Sequence, residues 1–317
     1  MNCPKQTRIS TMSLENAMTL TSRRTFLKWA GLSGAGLLWR PRFHGSSPGQ
    51  NRASFLDQIG VCTSLANRDI PPVAGCSYIE ESVRSFLMPG QPEENFQANL
   101  QALKDSKIPV RACNGFLPGS LKAVGPEARH PEILEYAETA FRRAAQAGIG
   151  TIVWGSGESR KIPDGFSRAQ AEEQFIDLAK QAAALAKRYR VLICLEPLNS
   201  GEVNFINSLS EGSAIVEAVG HPSFKLLADI YHLLREGETP EAIETHGTHI
   251  RHCHIAEKEQ RTPPGTAGDD FKPFLRALKK IDYRGGISIE CRWENMKEQL
   301  PAAMVCLKKQ IADVSES

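Results

Sequence analysis

The chain has 317 residues, 41% hydrophobic and 23% charged, with a formal net charge of +2. That is the composition of a soluble globular protein, and the near balance of charge argues against nucleic acid as a partner. The eight cysteines (Cys3, Cys62, Cys76, Cys113, Cys194, Cys253, Cys291 and Cys306) are scattered, several of them inside apolar runs, and no CxxC occurs. They read as small buried hydrophobes, not as a disulfide framework or a thiolate zinc site.

Taken in chain order, the first feature is SRRTFLK at residues 22–28, followed by a Gly-, Ala- and Leu-rich stretch from Trp29 to Trp39. Paired arginines before a short, weakly apolar region resemble a twin-arginine export signal. The stretch is shorter than the about 20 apolar residues a bilayer crossing needs. Residues 1–48 are therefore read as signal and linker outside the fold, and 49–317 as the folded domain. The resemblance implies export of a folded protein to the periplasm, with no stable membrane span once the signal is removed.

From residue 55 onward, short apolar runs alternate with longer helical patterns. The runs occupy residues 59–63, 78–83, 109–114, 150–155, 191–196, 224–229, 249–255 and 286–291. Between most of them apolar residues recur at i, i+3, i+4, as in PEILEYAETAFRRAAQAG and FKPFLRALKKI. Gly148 and Gly220 stand where helix C-caps belong. The first connection, LANRDIPPVAG, is short and Pro-rich, so its helix is expected to be irregular or missing. Strands alternating with helices imply parallel βαβ units, and eight of them fit an α/β fold of the (β/α)8 TIM barrel type, a single domain of about 250 residues. The rival, an open doubly wound sheet, would carry a Gly-rich phosphate loop. GSG at 155–157 is a weak candidate for one.

A barrel of this kind builds its site at the C-terminal strand ends. There the fifth run ends at Glu196, the sixth at Asp229, the seventh carries His254 and the eighth Glu290. Charged side chains are rarely buried unless paired or bound to a cation. Three carboxylates converging on one imidazole would repel one another without a cation between them. Oxygen-rich ligation with one nitrogen points to a divalent metal ion, Mn2+ before Mg2+, Co2+ or Zn2+. Strand alternation places Cys194, Leu227, His252 and Ser288 one pleat deeper on the same inward face. His252 is then a buried, hydrogen-bonded histidine and not a ligand. Trp154 and Phe116 either wall a sugar pocket or pack in the core.

Glu196, Asp229, His254 and Glu290 on consecutive strands resemble the metal site of the xylose-isomerase-like TIM barrels, the sugar phosphate isomerase/epimerase superfamily that includes ketose 3-epimerases. The resemblance covers about residues 55–312. It implies that Glu196 and Glu290 are both metal ligands and acid/base catalysts. It also implies that His232, in Asp-x-x-His, binds a substrate oxygen, and that Glu202 and Arg261 bind substrate. The motifs CNGFLPG, VWGSGESRKIPDG and HIAEKEQRTPPG resemble exported members of the superfamily. A cation chelating a carbonyl and its neighbouring hydroxyl would acidify the C–H between them and stabilise an ene-diolate. One carboxylate would remove the proton and the other return it. The expected activity is sugar isomerase/epimerase chemistry on a small-molecule sugar or keto-sugar. The alternatives are a metal-dependent lyase or dehydratase on a keto-sugar, keto-inositol or 3-keto-glycoside, and a non-catalytic sugar-binding barrel. An endonuclease IV-like enzyme would need histidines that the first four runs lack. A homo-oligomer is compatible with the sequence.

Overall fold

A computed structural model of the protein describes residues 58–315. The signal and linker expected over residues 1–48 lie outside the described residues. Each of the eight apolar runs forms a strand: β1 (Ile59–Cys62), β2 (Tyr78–Ser82), β3 (Val110–Asn114), β4 (Thr151–Trp154), β5 (Leu192–Leu195), β6 (Phe224–Asp229), β7 (Ile250–Ile255) and β8 (Ile287–Ile289). The helices in chain order are α1 (Ile70–Ala74), α2 (Glu93–Lys104), α3 (His130–Ala147), α4 (Gly157–Arg160), α5 (Arg168–Arg188), α6 (Leu209–Val219), α7 (Ile230–Glu236), α8 (Pro240–His246), α9 (Lys272–Lys280) and α10 (Met296–Ser315). Every strand pairs in parallel with its neighbours in sequence, and β8 pairs with β1. The result is the closed (β/α)8 TIM barrel expected from the sequence. Residues 155–157 form the turn from β4 into α4.

Local chemistry sets the helix ends. The Ser208 hydroxyl accepts from the Glu211 N–H while the Glu211 carboxylate reaches back to the Asn207 N–H, a reciprocal cap on α6. The α3 and α6 helices stop at Gly148 and Gly220, both left-handed, with φ of 72° and 61°. The Pro-rich first connection yields only a three-residue 3-10 turn, Leu65–Asn67, and the five-residue α1.

Two cores result. The larger lies between strands and helices and takes the outward strand residues and the inner helix faces. The smaller fills the barrel interior with Val153, Cys194 and Leu227, against which half-buried Leu192 packs. The inward placement of Cys194 and Leu227 follows the strand alternation. The seven described cysteines are all free thiols, four of them buried.

Trp154 belongs to the outer core, fully buried, with ring centroids 5.3 Å from Phe116, 5.0 Å from Phe175 and 6.2 Å from Phe224. Trp154 and Phe116 are thus packing residues and do not wall the pocket. Trp154→Ala is expected to cost about 3–5 kcal/mol in chemical denaturation, the range for emptying an aromatic site in a core. A loss below about 1 kcal/mol would contradict this placement.

Candidate active site

The strands deliver four side chains to one point at the C-terminal mouth. Asp229 ends β6 and pairs in register with His254 of β7, while Glu196 and Glu290 are the first residues after β5 and β8. Ligand atoms of Glu196, Asp229, His254 and Glu290 all lie within 4.8 Å of one another. His254 Nδ1 stands 3.3 Å from Glu196 Oε1 and 2.8 Å from Glu290 Oε2. Asp229 Oδ1 also accepts from the Tyr231 N–H, so the carboxylate caps α7 as it faces the site.

This density of acid perturbs every member. Burial raises the pKa of Glu196 and of Asp229. Burial also works against the charge of Glu290, but His254 and then Arg261 outweigh it and hold that carboxyl down at about 2. Burial disfavours charge on His254 too, yet Glu80 and then Glu290 raise its pKa well above the usual value. Three carboxylates and one imidazole in a buried cluster are the donor set of a hard or borderline divalent cation, and the residues fit one.

Behind the cluster, Glu80 of β2 contacts His254 Nε2 at 2.9 Å and His252 Nε2 at 2.7 Å. His252 is therefore the buried, hydrogen-bonded histidine that strand alternation indicated. Glu80 is inward by the same alternation, with Tyr78 below it. It escapes notice because β2 carries a second glutamate, and Glu81 is spent on the N–H groups of Leu65 and Ser82.

The cluster opens onto a cavity of about 500 Å³ lined by residues from the β2 to β5 ends, together with His232, Arg261 and Glu290. His232, on α7, is buried. Its Nδ1 accepts from the Asn199 backbone N–H at 3.1 Å and faces the Asn199 side-chain nitrogen at 2.9 Å. Burial lowers its pKa to about 4, so the ring is neutral near neutral pH. The remaining proton must sit on Nε2, which lies 3.5 Å from Asp229 Oδ2 and has no hydrogen-bond partner among the described residues. Glu202 lines the cavity and accepts from the Asn199 side-chain amide at 2.9 Å. Arg261 reaches Asp229 Oδ2 at 3.1 Å and Glu290 Oε2 at 2.6 Å, with its guanidinium 4.7 Å from the Tyr231 ring centroid.

Four further residues hold the site and carried no distinctive signal in the sequence. Asn114, at the end of β3, donates to Glu290 Oε1 at 2.6 Å. Arg160 is fully buried, and its guanidinium donates to the carbonyls of Trp154, Gly155, Phe205 and Glu196, the last at 2.8 Å. That fan ties the ends of β4 and β5 together. Gly155 leaves room for the Glu196 carboxylate, which a Cβ there would strike. Glu257, fully buried after β7, accepts from Thr262 Oγ1 and from the N–H groups of Gly265, Ala267, Gly268 and Asp269. It gathers the loop that carries Arg261, a residue held at φ 57°.

Fold and centre together define a TIM barrel with a carboxylate–histidine cluster at its C-terminal mouth. The chain belongs to the xylose isomerase-like TIM barrel family, which residues 73–310 match. It is 26% identical to the hydroxypyruvate isomerase of Escherichia coli K12 over 141 residues, 44% of this chain and 55% of that protein. It is 37% identical to the L-ribulose 3-epimerase of Methylomonas sp. DH-1 over 99 residues, 31% of this chain and 34% of that one. The chain thus spans between a third and just over half the length of these relatives. The crystal structure of the E. coli 3-keto-D-glucoside 4-epimerase superimposes with a TM-score of 0.67 at 20% identity, covering 80% of this chain and 99% of that one, a likeness of fold.

For a cation to bind, His254 and the raised carboxyls must give up their protons. Mn2+ affinity is expected to fall as pH drops from about 8 to about 5, with protons released on binding. Titration calorimetry in buffers of different ionisation heat reads that release, and binding without proton release would contradict the arrangement.

Proposed function

We propose that this protein is a divalent-metal-dependent sugar isomerase or epimerase that moves a proton next to a carbonyl through an ene-diolate, using Glu196 and Glu290. The observation that carries this reading is the convergence of Glu196, Asp229, His254 and Glu290 beside a cavity that His232 lines, its buried Nε2 lying 3.5 Å from Asp229 Oδ2 without a hydrogen-bond partner among the described residues. The relatives' names support it. Hydroxypyruvate and L-ribulose both pair a carbonyl with a neighbouring hydroxyl-bearing carbon.

A cation held by these four side chains, Mn2+ in first place, would supply Lewis acidity to a substrate carbonyl and its neighbouring hydroxyl. The chain's own residues do the rest. Glu196 and Glu290 approach from strands three apart around the ring, so a sugar bound between them presents opposite faces to the two carboxylates. One takes the proton alpha to the carbonyl and the other delivers a proton to the opposite face, which inverts the carbon. Action by one alone gives aldose–ketose isomerisation. The neutral His232 donates its Nε2–H to a substrate oxygen, and Asn199 fixes the tautomer that does so. Arg261 lends positive charge beside Glu290, and Asn114 orients the same carboxylate. Export through the twin-arginine segment would favour free sugars or glycosides over phosphorylated ones.

Wild-type protein loaded with Mn2+ is expected to exchange solvent deuterium into at least one member of a panel of ketoses and 3-keto-glycosides. Glu196→Gln and Glu290→Gln should each lose about 10²–10⁴-fold in rate. Exchange that persists in full after complete metal removal would sink the reading. His232→Leu is expected to raise KM about tenfold, the loss of one hydrogen bond to substrate, with Mn2+ affinity unchanged.

A further inference from the structure

The interior of the barrel below the site is not wholly apolar. Beside the apolar Val153, Cys194 and Leu227, with His252 in register with Leu227, lies a connected polar group with Glu80 at its centre, 1% exposed. Glu80 Oε1 is 2.9 Å from His254 Nε2. Glu80 Oε2 is 2.7 Å from His252 Nε2 and 2.6 Å from Ser288 Oγ. The Ser288 hydroxyl spends its proton on Glu80, so the Tyr78 hydroxyl, 2.8 Å from Ser288 Oγ, must be the donor in that contact. Tyr78 fits in the barrel floor because Gly60 and Gly286 face it, and a Cβ at either would strike its ring or hydroxyl.

We propose that Glu80 is a positioning residue for His254. Its carboxylate takes the Nε2–H and so directs the Nδ1 lone pair at the point where Glu196, Asp229 and Glu290 converge.

The argument rests on counting donors. Two histidine N–H groups and one hydroxyl converge on one side chain, and all three need an acceptor. A carboxylate meets three donors with two oxygens and no proton of its own. A glutamine would bring an NH2 group into a place that offers only donors, and one neighbour would have to change its tautomer or turn away. A buried, unpaired carboxylate is strongly unfavourable, yet both oxygens of Glu80 are partnered. The two faces of His254 are therefore differently served. Nε2 meets Glu80, and Nδ1 meets Glu196 and Glu290. A carboxylate on the far nitrogen of a metal-bound histidine fixes its tautomer and raises its basicity.

The proposal rests on the metal-binding half of the function above and not on the sugar. Absence of deuterium exchange into every sugar, with the results below as expected, would sink the sugar reading and leave Glu80 in place.

Two measurements test it. Glu80→Gln, compared with wild type by calorimetry with Co2+, is expected to weaken binding 10- to 100-fold while the protein stays folded by circular dichroism. An affinity unchanged in the folded variant would overturn the proposal, since a purely structural glutamate would shift the melting temperature and leave the affinity of the folded protein as it was. In parallel, 15N-histidine NMR of the wild-type protein loaded with Zn2+ is expected to show the His254 proton on Nε2 and the metal shift on Nδ1. A proton on Nδ1 would overturn the proposal whether or not the variant folds.

Discussion

The whole upper half of this barrel answers to one problem, which is how to gather four acidic side chains, three of them buried, around a single imidazole. Glu80, Glu196, Asp229 and Glu290 each place a carboxylate oxygen within reach of His254 or of its neighbours in the cluster. In a low-dielectric interior such a set repels itself unless positive charge and hydrogen-bond donors are supplied to match. The molecule supplies them from separate directions. Arg261 stands beside Asp229 and Glu290, Asn114 donates to Glu290, and Ser288 and His252 serve Glu80. Glu196, Asp229 and Glu290 with Nδ1 of His254 remain as a donor set that could hold a divalent cation.

Barrel geometry makes that arrangement feasible. Parallel register sets Asp229 level with His254, and the first residues after β5 and β8 approach from either side. Backbone anchors then limit movement. Arg160 binds carbonyls at the ends of β4 and β5, and the missing Cβ at Gly155 leaves the Glu196 carboxylate its place. His232 is held by Asn199, which Glu202 holds in turn. The cavity-lining groups are thus held by hydrogen-bonded neighbours, while the buried His232 Nε2 is left without a hydrogen-bond partner among the described residues.

Much of this was legible in the sequence. The strands announced themselves as apolar runs because a parallel barrel buries both faces of each strand. Polar ends on four consecutive runs marked the mouth, since a core would have refused them. What was hidden lay where the sequence signal is ambiguous. Glu80 sits in YIEES beside Glu81, and two adjacent glutamates in a short strand look like one buried and one solvated, whereas both are buried. Asn114 and Arg160 are ordinary polar residues until the fold brings them to Glu290 and to a ring of carbonyls. Trp154 and Phe116 could not be assigned from type alone, because an aromatic at a strand end packs equally well against a sugar or against helices. The alternation along β4 turns Trp154 outward, and Phe116 follows it into the same aromatic cluster.

The loop after β7 bears on how the cavity of this barrel could change its shape. Glu257 collects five donors from residues 262–269, and Arg261 lies within the span it closes, in a backbone conformation few side chains tolerate. Inserting or deleting a residue there would leave a buried carboxylate short of partners and swing Arg261 away from Glu290. The β7 wall of the cavity is in that sense frozen. The opposite wall takes Ser82 from the end of β2, Arg84 from the helical turn after it, Leu117 from the segment after β3 and Glu158 from α4, and none of these side chains bonds to the central cluster. Divergence in the shape of the cavity has its freedom on that side, where side-chain identity can drift without touching the bonds of the central cluster.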